Sequence, residues 1–295
     1  MFSTDDSIPE SAAKWWCRMI DSRWSLMRRG YRTSIVCIFL LAIALFLGPW
    51  LSPWGEEHID WNSIDTPPSL NHWFGTDGSG RDLLVRTMAG GRVSLTIALL
   101  ATLVSFAIGL PWGAIAGYAG GRVDQVMMRI VDGLYGLPFM FLVILLVVFF
   151  GRNPYLLFIA IGAVSWLDLA RIVRGQTLVV KNAMYIEAAK ALGVPDPWIV
   201  TRHVVPNVMG PALVYATLTI PGVIIAESFI SFLGLGIQEP QTSWGVLIAD
   251  GATRLHAPWQ LIFPATFLAV TLLVLNVAGD QLRDAMDPQE KGVRL

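Results

Sequence analysis

The chain of 295 residues is 54% hydrophobic and only 15% charged, with a mean hydropathy of +0.57 and a formal net charge of −1. That composition lies well to the apolar side of a soluble domain of this length and indicates a membrane protein. The near-neutral balance gives no footing for nucleic acid, and the two cysteines, Cys17 and Cys37, are placed for neither a disulfide nor a metal site.

Residues 1–32 read as a charged cytoplasmic tail. Trp16, Met19, Ile20, Trp24 and Met27 recur at roughly helical spacing among Lys14, Arg18, Arg23, Arg28 and Arg29. The pattern suits a helix lying on membrane lipid, with a loosely ordered basic tail as the alternative. The tail is too long and too charged to start a cleaved signal peptide, and no small-residue cleavage site follows the first apolar run, so that run reads as a retained anchor. Charge-free intervals at 33–55, 93–121, 133–151, 153–167, 203–226 and 255–279 mark six spans, mostly near the length of about 20 residues that a bilayer helix needs. The fourth is short and reaches span length by continuing past Asp168 toward Arg171, at a helix end where long side chains can snorkel. The expected fold is all-α with six transmembrane helices. Residues 33–92 hold the first helix and an extracytoplasmic loop, 93–282 a five-helix core with a cytoplasmic loop at 176–207, and 283–295 a cytoplasmic tail.

Orientation follows from the basic residues. Sixteen of the 21 Lys and Arg residues fall in the N-terminal tail, 122–132, 168–202 and the C-terminus, against five on the other side. An excess of this kind places both termini in the cytoplasm. The extracytoplasmic loop carries "FGTDGSGRD" at 74–82, whose Gly and Asp content signals tight turns. It is a poor phosphate cradle, because no Gly-Lys-Ser/Thr follows it.

Within the second span, Gly109, Gly113 and Gly117 recur every four residues, which puts them on one helix face where a neighbouring helix can approach closely. The fifth span holds Pro221-Gly222, expected to bend it, and then Glu227, a carboxylate that must face protein or a water-filled path. Two roles stand open for Glu227. It either lines the translocation path, favouring a positively charged amine, or is hydrogen-bonded between helices as packing glue.

The stretch "YIEAAKALGVPDPWIVTRHVVPN" at 185–207 breaks the apolar pattern. Good helix formers run from Tyr185 to Leu192, and Gly193 supplies a left-handed stop. Asp196-Pro197 restarts a helix, with Asp as N-cap and Pro at the first helical position, and that second short helix is expected to end by Pro206. The product is a helix-turn-helix elbow outside the membrane. Ala188 and Ala189 leave one side of its first helix nearly bare while Glu187 offers a single charge, a shape suited to a protein socket.

At this point the chain resembles the permease subunits of ABC-type importers, whose cytoplasmic signature runs Glu-Ala-Ala, three residues, Gly, nine residues, then Ile-x-Leu-Pro. Glu187-Ala188-Ala189, Gly193 and Pro206 match in register, while His203 and Val205 replace the usual Ile and Leu, as in the "His-x-x-Pro-Asn" form of the peptide-importer branch. "SWLDLARIVRGQTL", "ESFISFLGLG", "TSWG" and "GDQLRDAMDP" extend the likeness over roughly residues 33–290, nearest the C-type permease of oligopeptide importers. The resemblance implies a type I ABC importer permease fold in a bacterial inner membrane. It also makes 185–207 a coupling helix pair, with Glu187, Ala188, Ala189, Gly193, His203 and Pro206 meeting a cytoplasmic ATPase. The partners it implies are a homologous second permease, two ATPase subunits and an extracytoplasmic solute-binding protein, beneath which 237–258 would form a surface or gate.

No Gly-x-x-x-x-Gly-Lys-Ser/Thr occurs, so the chain is not expected to act as an enzyme on ATP, and ATP and Mg would be held by the partner ATPases. The histidines His58, His72, His203 and His256 are scattered, with no hydrolase or metal motif around them. The rival reading is an ion-coupled secondary transporter. Such proteins commonly hold several ionisable groups at mid-membrane and show internal repeats, whereas here Glu227 alone lies well inside a span and no repeat is visible. Oligopeptide is the expected cargo, with dipeptides, nickel and related solutes as the alternatives within the same family.

Overall fold

A computed structural model of the chain describes residues 34–150 and 154–286. The lipid-surface helix expected within 1–32 and the tail beyond 286 lie outside these residues. In chain order the helices are α1 (Ser34–Leu51), α2 (Leu83–Ala119), α3 (Gly121–Tyr135), α4 (Phe139–Phe150), α5 (Pro154–Val180), α6 (Met184–Ala191), α7 (Asp196–Ile199), α8 (Val205–Phe232), α9 (Trp244–Ala252) and α10 (Trp259–Met286). Five of the described helical runs are long and apolar enough to cross a membrane, and the bent pair α3–α4 supplies a sixth. The chain is an all-α membrane protein.

Three of the spans that differ from the charge-free intervals do so because a charge or a break is met by nearby groups. α2 begins at Leu83, well before 93, because Asp82 caps it by accepting from the Val85 amide at 3.0 Å. Arg86, only 2% exposed, is neutralised there by Asp77, and Arg92 pairs with Glu56. The third interval is not one straight helix. Its first residues finish α3, and the chain then turns through 83° into the twelve-residue α4. Pro138 explains the break, since it disfavours helical geometry at Leu137 and cannot donate to the preceding turn. α5 continues through Asp168, Arg171 and Arg174 to Val180, so much of the expected loop is helix. Arg174 forks onto Asp124 at 2.5 and 2.6 Å, and Arg171 meets Asp132 at 2.8 Å. Carboxylates on α3 thus satisfy the cations that would otherwise have ended the span.

The core lies where α2 and α5 form their extensive pairing, with α4 and α8 against them. The glycine stripe of α2 sets the distance. A Cβ on Gly109 would lie 2.9 Å from the Trp166 carbonyl oxygen and one on Gly117 2.8 Å from that of Arg174, while one on Gly113 would overlap the Ala170 carbonyl. α5 returns the favour with Gly162, set against the Ala101 carbonyl. α8 passes through Pro211 and Pro221 as one helix.

At one end of the bundle the 52–82 segment folds over α9 and the start of α10. Asp65 accepts from Gln260 at 2.7 Å and Arg254 at 3.2 Å, Phe74 stacks on Phe263, and the buried Trp244 donates from Nε1 to the Thr87 carbonyl at 2.9 Å. Asp77 sits at the hub of this cap. Burial pushes its carboxyl up, but the Arg81 amide and the guanidinium groups of Arg86 and Arg81 outweigh burial and hold it below the ordinary carboxylate range. Arg81 also reaches Glu239 at 2.6 Å, which ties the Gly-rich turn to the 237–243 segment.

Candidate docking elbow and the buried carboxylate

α6 and α7 stand at the opposite end of the bundle. α6 ends in a complete Schellman arrangement: the Val194 amide donates to the Ala189 carbonyl at 3.1 Å and the Gly193 amide to that of Lys190 at 3.0 Å. Gly193 adopts φ +75°, and a Cβ there would meet nothing within 4 Å. Glycine is required at this turn for its backbone conformation, not for space.

The second arm departs from expectation in two ways. Pro195 is the N-cap and Asp196 the first helical residue, so the Asp196 carboxylate is free to accept from the Tyr118 hydroxyl at 2.6 Å. The arm does not end by Pro206, because Asp196 to Phe232 forms one helical run. A π-helical turn at Val200–Val204 carries it past the proline, whose ring would clash with the carbonyl four residues earlier in a regular α-helix.

Packing makes the elbow rigid. Ile186, Ile199, Val204 and Val208 are buried against Leu110, Ala114, Leu169 and Val173 from α2 and α5. Lys181 donates to the Gly117 carbonyl at 2.9 Å near the end of α2, and the Lys190 ammonium lies 4.9 Å from the centre of the Tyr118 ring. Both are favourable placements of cations near a helix C-terminus. The sequence pattern gave no sign of these anchors, since Gly117 and Tyr118 lie far along the chain from the elbow motif.

The residues singled out for docking fall together on this elbow. Glu187, Ala188, Gly193 and Pro206 are exposed, while Ala189 and His203 are half-buried, and the His203 ring stands 6.4 Å from that of Tyr185 across the two arms. Around them Met184 (83% exposed), Leu192 (84%) and Trp198 (59%) present apolar side chains beyond the apolar spans. These three were not among the expected docking residues. Alternation of small and large residues across the turn was the available signal.

Glu227 lies elsewhere, deep in the bundle and with no exposed surface. Its oxygens accept from Ser94 of α2 at 2.8 Å and from Ser231 one turn along α8 at 2.8 Å, with Ser228 at 3.5 Å. Of the two environments left open by the sequence, protein is the one observed.

Six apolar helical segments, one bent, with a packed and exposed elbow beyond them define a multi-span membrane component. The chain belongs to the family described as binding-protein-dependent transport system inner membrane component, which matches residues 109–292. It is 52% identical to the oligopeptide transport system permease protein OppC of Haemophilus influenzae, over 88% of this chain and 84% of that one. Identity is 50% with OppC of Escherichia coli K12, over 92% of each, and 45% with the dipeptide transport system permease protein DppC of Bacillus subtilis, over 86% and 80%. Among solved structures, the inward-facing MetNI methionine ABC transporter aligns with a TM-score of 0.52 at 18% identity, over 70% of this chain and 97% of that chain. The shared fold is that of an ABC importer permease.

Proposed function

We propose that the chain is the permease subunit of an ATP-driven importer for oligopeptides, forming half of the translocation pathway and taking its drive from separate ATPases. The observation that carries this reading is the elbow: Glu187, Ala188, Gly193 and Pro206 of the in-register signature sit exposed, with Ala189 half-buried, on a rigid unit whose second arm is one helical run with the full-length α8. A displacement of the elbow by a partner would therefore be carried into the membrane through α8 rather than lost in a loop.

In this assembly a homologous second permease completes the path, two cytoplasmic ATPases bind ATP and Mg, and an extracytoplasmic solute-binding protein delivers cargo. The elbow faces the cytoplasm with both termini, as the bias of Lys and Arg requires. The cap formed by 52–82 and 237–258 then faces outward, beneath the solute-binding protein. Cargo is assigned as oligopeptide by the 50–52% likeness to oligopeptide permeases, and the 45% likeness to a dipeptide permease keeps dipeptides as the second reading. Glu227, enclosed by serines, is read as a lock between α2 and α8 with no direct hold on the cargo.

Two substitutions test the coupling role. Gly193→Val places a β-branched residue at φ +75° and should misdirect both arms, although no neighbour crowds the site. Glu187→Lys reverses the charge beside the small Ala188-Ala189 face with little change in helix propensity. Both variants should insert normally, lose peptide uptake, and either co-purify less ATPase or fail to link its hydrolysis to transport. Wild-type uptake with full ATPase recovery in both would rule the docking role out.

A further inference from the structure

Asp168 is a second carboxylate inside a span, and its surroundings are unlike those of Glu227. It lies about 21 Å along α5 from the first residue of that helix, roughly halfway, at 1.5 Å per residue. One oxygen, Oδ1, accepts from the Tyr135 hydroxyl at 2.7 Å, and no other donor reaches the carboxylate among the described residues. No Lys, Arg or His lies within ion-pair distance of it among those residues. Arg171, one turn further along α5, is committed to Asp132 at 2.8 Å and to the face of Tyr135, 4.2 Å from its centroid. The local cluster of Asp132, Arg171 and Asp168 therefore carries an excess negative charge.

That charge borders a cavity of about 280 Å³ at the break between α3 and α4, with Tyr135, Leu137, Phe139 and Val164 in its walls. A carboxylate facing an apolar-walled space in a membrane span is costly unless a cation or water is available to it. The C-terminal end of α3, the negative end of its dipole, borders the same space. The cavity has room for an ammonium group and the atoms next to it. Tyr135 and Leu137 are each 47% exposed, so the cavity opens on the face of the molecule and is not sealed in the core.

We propose that Asp168 and Tyr135 form an ammonium subsite on the translocation path, where the protonated amine of a passing peptide meets the carboxylate. The proposal rests on the peptide-importer reading above. Asp168 supplies the charge, Tyr135 fixes the orientation of its Oδ1 and leaves the second oxygen for the cargo, and the apolar walls exclude competing donors.

The test uses the complete importer, purified with its partner subunits, carrying Leu137→Cys in an otherwise cysteine-free background. Labelling by an ammonium-bearing methanethiosulfonate should outpace labelling by a neutral one of similar size by about tenfold, through local concentration of the cation. Asp168→Asn should collapse that ratio and Asp168→Glu should restore it. Trialanine should protect the cysteine where N-acetyl-trialanine does not, and only with a carboxylate at 168. A ratio that Asp168→Asn leaves intact, equal protection by both peptides, or loss of the second permease from the Asp168→Asn complex would each overturn the subsite, the last by showing a subunit contact instead. Wild-type uptake of trialanine tests the importer reading separately, so failure of the subsite in a working importer counts against the subsite alone.

Discussion

Glu227 and Asp168 show how one residue type is handled in two ways within a single bundle. Glu227 has serine hydroxyls as donors and no exposed surface, whereas Asp168 has one tyrosine and a cavity. Removing a satisfied carboxylate leaves its donors orphaned, at about 1–3 kcal/mol for each buried group. Glu227→Ala should therefore lower the thermal stability of the purified complex by an amount of that order. Glu227→Gln keeps an acceptor oxygen for one serine and gives the other an amide donor, so it should retain most of the stability and transport free-amine and blocked-amine peptides in the wild-type ratio. A selective loss of free-amine uptake by Glu227→Gln, with assembly intact, would return Glu227 to the path.

At the scale of elements, the α2–α5 pair is held by backbone approach more than by large side chains. The glycines of α2 face carbonyl groups of α5 in steps of one turn, so an added methyl meets backbone, which cannot rotate away as a flexible side chain would. Gly113→Ala should push the helices apart, destabilise the protein by about 1–3 kcal/mol and reduce the yield of folded complex. Gly175→Ala, on the open face of α5 with nothing within 4 Å of the new methyl, is the matched control. It should be neutral, or stabilising by up to about 1 kcal/mol through helix propensity. Equal melting temperatures for the two variants would show that the glycine stripe does not set the helix spacing.

The whole molecule has two unlike ends. One is the salt-bridged cap centred on Asp77, Arg81 and Arg86, and the other is the elbow with Met184, Leu192 and Trp198 on its surface. Under the proposed function the elbow lies in the cytoplasm, the side that the excess of Lys and Arg favours. Single cysteines at Ser79, exposed in the cap, and Asn182, exposed before α6, should then react with an impermeant thiol reagent from opposite sides of the membrane. In intact cells with Cys17 and Cys37 replaced, only the Ser79 position should label. Labelling of both from outside would exclude the three crossings, α2, α3–α4 and α5, expected between them.

Hydropathy placed the five long apolar helices and the bent pair in outline, because a run with little or no charge is a local property that the bilayer reads directly. The turn at Gly193 was equally legible, since a left-handed stop after a run of helix formers needs no tertiary context. Everything that depended on distant partners was not. Where α2 starts and how far α5 runs were hidden because Arg86, Arg171 and Arg174 look like span-ending charges until Asp77, Asp132 and Asp124 are brought beside them. The continuity of the elbow with α8 was likewise hidden, for Pro206 reads as a stop unless a π-helical turn absorbs it. Sequence could name Glu227 as an expensive carboxylate, but only the fold decided that it is enclosed by serines while Asp168 faces open space. The cost of burying a charge is fixed by chemistry, and the means of meeting it are fixed by which helices pack together.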